Sequence, residues 1–282
     1  MIKVIYDMHG KFELDKYYTQ ESVVNLCVDK VVEVVGVDFH TVVEPSAGNG
    51  AFIDKIGDTF KNSDNVYLDI EPMTDLVQQH DYLEIDLNHL RNNKTLVIGN
   101  PPFGPKNTLS VKFFKKSITY ADAIAFIQPI SQLNNNQQMF EFDLVSSTDL
   151  GRLPYFNPDG RSRDVHCCFN IYKRPVGHLN TKKKYKYSNF SIKEIRHSTK
   201  CSRERVEDYG PGVCAWGASV GVPIKEGKSY AQEFYFTGDS DIVDFCMSFD
   251  WKSVCSKTAT PSLYQWQVYE EVLSRFELIP IK

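Results

Sequence analysis

Thr41-Val42-Val43-Glu44-Pro45-Ser46-Ala47-Gly48-Asn49-Gly50-Ala51-Phe52-Ile53 reads as a buried strand, a glycine turn and the start of a helix that Ile56 continues. A second short strand, Asn65 to Leu68, runs into Asp69-Ile70-Glu71-Pro72. The alternation continues through a weaker segment around Leu76-Val77 that ends near Asp81, then the strand Thr95 to Ile98. An amphipathic stretch with Val111, Phe114 and Ile118 follows, then the run Ala123 to Ile127. Strands that alternate with helices predict an α/β fold with a mostly parallel sheet covered by helices on both faces. Upstream, Val24, Cys27, Val28, Val31, Val32 and Val35 recur at helical spacing, with Thr19 placed to cap the start and Gly36 the end. The apolar stretch Val165 to Tyr172 closes this half of the chain.

Beyond Pro175 the texture turns basic and polar, with glycine turns and a tail rich in Tyr and Trp, so a smaller second domain is expected over 176–282 after a first over 1–175. The net charge of −4 by itself argues against a polyanionic partner. It is unevenly spread, because Lys173 to Arg205 holds eleven Lys or Arg against Glu194 and Glu204, which is +9 and leaves −13 elsewhere. Lys182, Lys183, Lys184, Lys186 and Arg196, interleaved with Tyr185 and Tyr187, are the candidate phosphate contacts; the alternative is a solvated linker. With 42% apolar residues in 282, the chain can build a real core. No apolar run nears the roughly 20 residues that cross a bilayer, and the first residues lack a signal-peptide h-region, so a cytoplasmic location is expected. The seven cysteines include no C-x-x-C pair and point to neither a disulfide framework nor a metal cluster. Cys167-Cys168 is expected to be buried packing.

In an open parallel sheet, ligands bind beyond the carboxyl ends of the strands. Gly48 and Gly50 let backbone approach a ligand there, and Asp69 is placed to accept hydrogen bonds from ribose hydroxyls. A nicotinamide dinucleotide fits poorly, because Glu44-Pro45 would meet the pyrophosphate with a carboxylate. Glu44 suits a cation instead, and S-adenosylmethionine offers an ammonium and a sulfonium without a phosphate. Downstream, Asn100-Pro101-Pro102-Phe103 follows the strand that ends at Ile98 and Gly99. The Asn100 side-chain oxygen and the Pro101 carbonyl can each accept an N–H from a planar amino group, which aims its lone pair, and Phe103 can stack on the ring that carries it. Taken alone, Asn-Pro-Pro is also an ordinary strand-ending turn.

With these residues the chain resembles the N6-adenine DNA methyltransferases of the amino-methyltransferase class, over roughly residues 15 to 175. Tyr17-Tyr18-Thr19 resembles the family's amino-terminal cofactor motif. Glu44 to Phe52, with Pro45, Ala47, Gly48 and Gly50, resembles its motif I, and Asp69-Ile70-Glu71-Pro72 its motif II. Asp81-Tyr82-Leu83 looks like the motif that contacts the cofactor adenine, with Asp86 a competing choice, and Asn100 to Phe103 matches the catalytic Asn-Pro-Pro-Phe. The resemblance implies a Rossmann-like class I methyltransferase fold, S-adenosyl-L-methionine as cofactor and double-stranded DNA as partner, with the target adenine turned out of the helix. It also implies a target-recognition role for 176–282. Phe169, on the strand near the family's base pocket, either packs in the core or lies against the extruded base. RNA adenine, a protein glutamine amide, or a silent nucleic-acid-binding module are the competing readings.

Overall fold

The computed structural model describes residues 19–156, 162–197, 209–225 and 229–281. The chain divides into two compact units, Met1–Lys182 and Lys183–Lys282. Tyr17 and Tyr18 lie outside the described residues.

The first unit opens with α1 (Glu21–Val35), whose apolar stripe buries Val24, Cys27, Val28 and Val31. Each such side chain contributes about 1.5–3 kcal/mol on burial. Gly36 stops the helix at φ 82, a left-handed value that glycine takes without strain, and its N–H bonds Val32 O. The start differs from expectation: Gln20 is the N-cap residue and makes no side-chain cap bond. The Thr19 hydroxyl accepts from Asn100 instead, so it serves the end of a strand far along the chain.

There follow β1 (Thr41–Glu44), α2 (Ile53–Thr59), β2 (Asp64–Asp69), β3 (Gln78–Gln79), β4 (Thr95–Gly99), α3 (Thr108–Ser117), β5 (Ala123–Pro129), β6 (Asp143–Phe156) and β7 (Ser162–Lys173). They form one sheet in the order β3-β2-β1-β4-β5-β7-β6. Neighbours from β3 to β5 are parallel, and β7 runs antiparallel to both β5 and β6. Because strand side chains alternate between faces, each strand feeds two cores. Val42, Leu96, Ile98, Ala125 and Ile127 meet α1 and α2 through Val28, Phe52 and Ile56. Val43, Val97, Ile124 and Phe126 meet Phe113 and Phe114 of α3 on the other face. This is a Rossmann-like α/β fold, with helices on both sides of a mostly parallel sheet.

The segment near Leu76-Val77 yields only the two-residue β3, and the expected strand Val165 to Tyr172 sits inside a twelve-residue β7. Its hairpin partner β6 was not foreseen. Register shifts at Leu144/Ser146 and Asp149/Gly151 break the period of two by which a strand is read. Cys167 and Cys168 are both buried, and the six described cysteines are free. Burial raises the Cys167 thiol to about 12 and the Cys168 thiol further.

The second unit holds β8 (Phe190–Arg196), β9 (Gly212–Cys214), β10 (Gln232–Gly238), α4 (Ser240–Ser248) and α5 (Gln265–Leu273). The strands form an antiparallel sheet in the order β8-β10-β9. Its core gathers Phe190, Val213, Phe234, Phe236, Trp251, Val268 and Val272. Among the described residues, no helix is long and apolar enough to cross a membrane.

Candidate active site

The chain crosses from β1 outward to β2 and β3, then returns to the other side of β1 for β4 and β5. The carboxyl ends of β1 and β4 therefore flank the point where the sheet order reverses, where open α/β sheets place their ligands. Glu44 ends β1, Asp69 ends β2, and Asn100 follows β4.

Glu44 is 2% exposed, and its Oε2 has no hydrogen-bond partner. Burial, and then the like charge of Asp69, raise its carboxyl pKa to about 8. The neighbouring strand presses on it, since a Cβ at Gly99 would stand 3.3 Å from Glu44 Cγ. A buried carboxylate whose charged neighbour is another acid suits a cationic ligand.

Asp69 knits the turn together. Its Oδ2 accepts from Gly48 N at 2.8 Å and its Oδ1 from Glu71 N at 2.8 Å, while Met73 N donates to Gly48 O at 3.1 Å. Two bonds leave lone pairs on both oxygens for a diol. Gly48 and Gly50 take φ 52 and 83, and a Cβ on Gly50 would meet Ile53 Cδ1 at 2.8 Å, so the turn requires glycine there. Pro45 and Ala47 are buried in the turn, and Ile70 is 39% exposed beside Asp69.

Two residues of the expected cofactor set serve the core instead. Phe52, 1% exposed, packs in the α1 cluster beneath the turn. Tyr82, 2% exposed, bonds Ser117 Oγ and Tyr120 OH and stacks on Phe113 at 5.0 Å. Asp81 is half-buried just beyond β3, next to the end of β2: His80 N bonds Asp69 O at 2.9 Å, and Asp81 Oδ1 caps its own turn through Leu83 N at 2.9 Å.

At the end of β4, Asn100 Nδ2 donates to Thr19 Oγ1 at 3.3 Å, while Oδ1 is buried without a partner. Pro101 is buried and Pro102 half-buried. The Phe103 carbonyl accepts Leu109 N at 3.0 Å, which ties the loop to α3. The Phe103 ring is 5% exposed and packs with the α1-face core, so its structural role is already filled.

Among the described residues, eight buried side-chain atoms lack a partner. Six of them, on Glu44, Ser46, Asn100, Asn107 (two) and Gln132, lie in segments at or just beyond the carboxyl ends of β1, β4 and β5. Native interiors pair such groups, so their concentration here makes this end of the sheet the candidate ligand site. Sequence reading passed over Ser46, Asn107 and Gln132 because polar residues after strands are ordinary loop composition.

The basic segment is differently disposed from its expected role. Lys183 pairs with Glu270 at 2.8 Å, and Tyr185 bonds the same carboxylate and stacks on Tyr269 at 5.0 Å. Tyr187 also lies against Tyr269, so both interleaved tyrosines belong to the packing of the second unit. Arg196 pairs with Glu194. Lys182, Lys184 and Lys186 are exposed and make no ion pair among the described residues. Phe169 is 1% exposed inside the core, which is the packing role of its two.

No family model matches this chain, and no curated protein matches it. Solved structures with a similar fold include a modification subunit assigned to a type I restriction enzyme from Vibrio vulnificus, at 14% identity and TM-score 0.44. The methyltransferase subunit of a type I restriction-modification system from Streptococcus thermophilus aligns at 14% and 0.42. Each alignment covers 56% of this chain and 44% of the other. The 23S rRNA methyltransferase ErmE aligns at 10% and 0.41, over 59% of this chain and 72% of its own. At this identity and overlap the likeness assigns neither activity nor substrate.

Proposed function

We propose that the chain is an S-adenosylmethionine-dependent methyltransferase that modifies the N6 amino group of an adenine turned out of duplex DNA. The observation that carries this reading is Asn100 Oδ1, a buried acceptor without a partner at the sheet's switch point and next to two prolines. Leaving such an acceptor unpaired costs about 1–3 kcal/mol, which an amino group in the site would return.

The residues fit the cofactor. The Glu44 carboxylate pairs with no cation among the described residues and would take the ligand's positive charge, which would keep it ionised. Asp69, with lone pairs to spare, would accept the ribose hydroxyls. Pro45, Ala47, Gly48 and Gly50 form the turn that would hold the cofactor, Ile70 and Asp81 would serve its adenine, and Thr19 accepts from Asn100. Tyr17 and Tyr18 join this set through the resemblance alone. When bound, S-adenosylmethionine supplies an electrophilic methyl carbon.

Asn100 Oδ1 and the Pro101 carbonyl each accept one amino proton and so turn the nitrogen lone pair out of the ring plane. Both contacts strengthen as positive charge grows on nitrogen, which favours the transition state over the ground state. The proton that nitrogen then sheds is acidic, and no general base is needed before the transfer. Pro102 stiffens the loop, and Phe103 offers the base whatever edge its packing leaves open.

Turning the base out costs a few kcal/mol. Phosphate contacts from Lys182, Lys184 and Lys186 would offset it. Lys183 and Arg196 are held by exposed ion pairs worth at most about 1 kcal/mol, so phosphate can compete for them.

Incubation with methyl-labelled cofactor and separate pools of duplex DNA, RNA and protein tests the reading. N6-methyladenine in duplex DNA is the expected product. Label in RNA or in glutamine would replace the substrate, and no label despite cofactor binding would leave a silent binding module. Failure to bind the cofactor would refute the whole assignment.

A further inference from the structure

Seven residues after Asn100, on the same loop, Asn107 is 4% exposed, yet neither its Oδ1 nor its Nδ2 has a partner. Asn107 is the N-cap residue of α3, where an asparagine would ordinarily bond the helix, but it makes no such bond. It sits at φ 64 directly after Lys106 at φ 53. Consecutive left-handed residues that are not glycine are unfavourable and gather at functional sites.

The surroundings hold this loop firmly. One turn into α3, Ser110 Oγ accepts from Gln128 Nε2 at 3.4 Å. Gln128 Oε1 accepts from Asn170 Nδ2 at 2.9 Å, and that nitrogen also donates to Gln132 O at 2.8 Å. Gln132 Nε2 is taken by Gln138 at 3.2 Å, while its Oε1 has no partner. A connected buried network thus joins α3, β5, β7 and the loop after β5, with Gln132 Oε1 left open at its end and Asn107 three residues before its member Ser110.

We propose that Asn107 is a substrate-recognition residue whose side-chain amide donates a hydrogen bond to the ring nitrogen next to the amino group that Asn100 holds. This rests on the proposed function. In adenine the amino group is flanked by two ring acceptors, N1 and N7. With Asn100 and Pro101 supplying only acceptors, the pocket needs a donor, and Asn107 Nδ2 is the unpaired buried donor on that loop.

The test uses the full chain and a duplex that carries the site it methylates, with the target adenine intact or replaced by 1-deazaadenine or 7-deazaadenine. The wild type should lose about tenfold or more in kcat/KM on one of the two analogues, the scale of one buried hydrogen bond. Asn107→Gly keeps the left-handed backbone and removes the amide. It should be slower on adenine by a similar factor and indifferent to that replacement, with cofactor affinity unchanged by calorimetry. Asn107→Asp puts an acceptor where the donor was and should be at least as slow. The inference is overturned if Asn107→Gly keeps the wild-type discrimination, or if neither analogue slows the wild type. Should turnover of Asn107→Gly be too slow to follow, binding of the same duplexes with S-adenosylhomocysteine gives the same comparison. A wild type that methylates no adenine in any nucleic acid would bring down the proposed function itself, and that is seen before any variant is made.

Discussion

Titration of Glu44 should govern cofactor binding, and its sign follows from burial. The carboxyl pKa in the ligand-free protein is about 8, so at pH 7 it is mostly protonated. A cationic ligand requires the ionised form, and binding must therefore release a proton. With this pKa about 0.9 proton leaves at pH 7, and apparent affinity rises nearly tenfold per unit between pH 6 and 7 before it levels near pH 8. Above that, the ligand's own α-ammonium, whose ordinary pKa is about 8, deprotonates and affinity falls again. Calorimetry of S-adenosylmethionine binding in two buffers of different ionisation enthalpy measures the released proton directly. In Glu44→Gln the release at pH 7 should vanish, the acid limb should flatten, and affinity at pH 8 should drop. Equal proton release and equal pH profiles in wild type and variant would refute the placement of the cation at Glu44.

Three further outcomes are expected. Asn100→Ala should abolish methyl transfer while cofactor affinity stays within a fewfold, because its main contact forms with the amino group; retained turnover would move the catalytic site elsewhere. Tyr82→Phe should lower unfolding free energy by about 1–2 kcal/mol in urea titrations, through the hydroxyls of Ser117 and Tyr120, and leave cofactor affinity unchanged. A loss of affinity would restore Tyr82 to the cofactor site. Changing Lys182, Lys184 and Lys186 to Gln should reduce the salt dependence of DNA binding by about 0.9 log units per decade for each lost phosphate contact, and an unchanged slope would return the segment to a linker.

The fold was legible because its central strands carry their own evidence. All four residues of β1 and all five of β4 are buried, and the sequence shows it in the short apolar runs Val42-Val43 and Leu96 to Ile98, each followed by turn residues. The helix over 21–35 was legible from its stripe, although Thr19 was misread as its cap because residue type cannot show which group a hydroxyl will bond. The bulged β6 was not legible, since each extra residue reverses the facing of those beyond it. Glu44, Asp69 and Asn100 could be placed at strand ends from sequence because each closes or follows a strand that could be recognised. Phe52 and Tyr82 lie in the core rather than open to a ligand, which was not legible because an aromatic near a motif looks the same in sequence whether it faces a ligand or the core. The pairing of Lys183 and Tyr185 with Glu270 was not legible for a long-range reason: that carboxylate lies 87 and 85 residues away.

The same carboxylate that should bind the cofactor also sets a cost on the empty fold. Folding raises the Glu44 pKa from 4.5 to about 8, so the folded state holds a proton that the unfolded chain gives up. Between those values stability must fall as pH rises, and the loss is complete once pH passes about 8. The shift corresponds to roughly 5 kcal/mol at most, a large fraction of the 5–15 kcal/mol by which domains are stable. Glu44→Gln removes the titration while it keeps the shape, so the ligand-free variant should melt higher than wild type at pH 8.5, with the difference shrinking towards pH 5. Saturating cofactor should narrow the gap at pH 8.5 by stabilising the wild type more than the variant. Identical melting curves across that range, with and without ligand, would show that Glu44 is neither strained when empty nor relieved when bound.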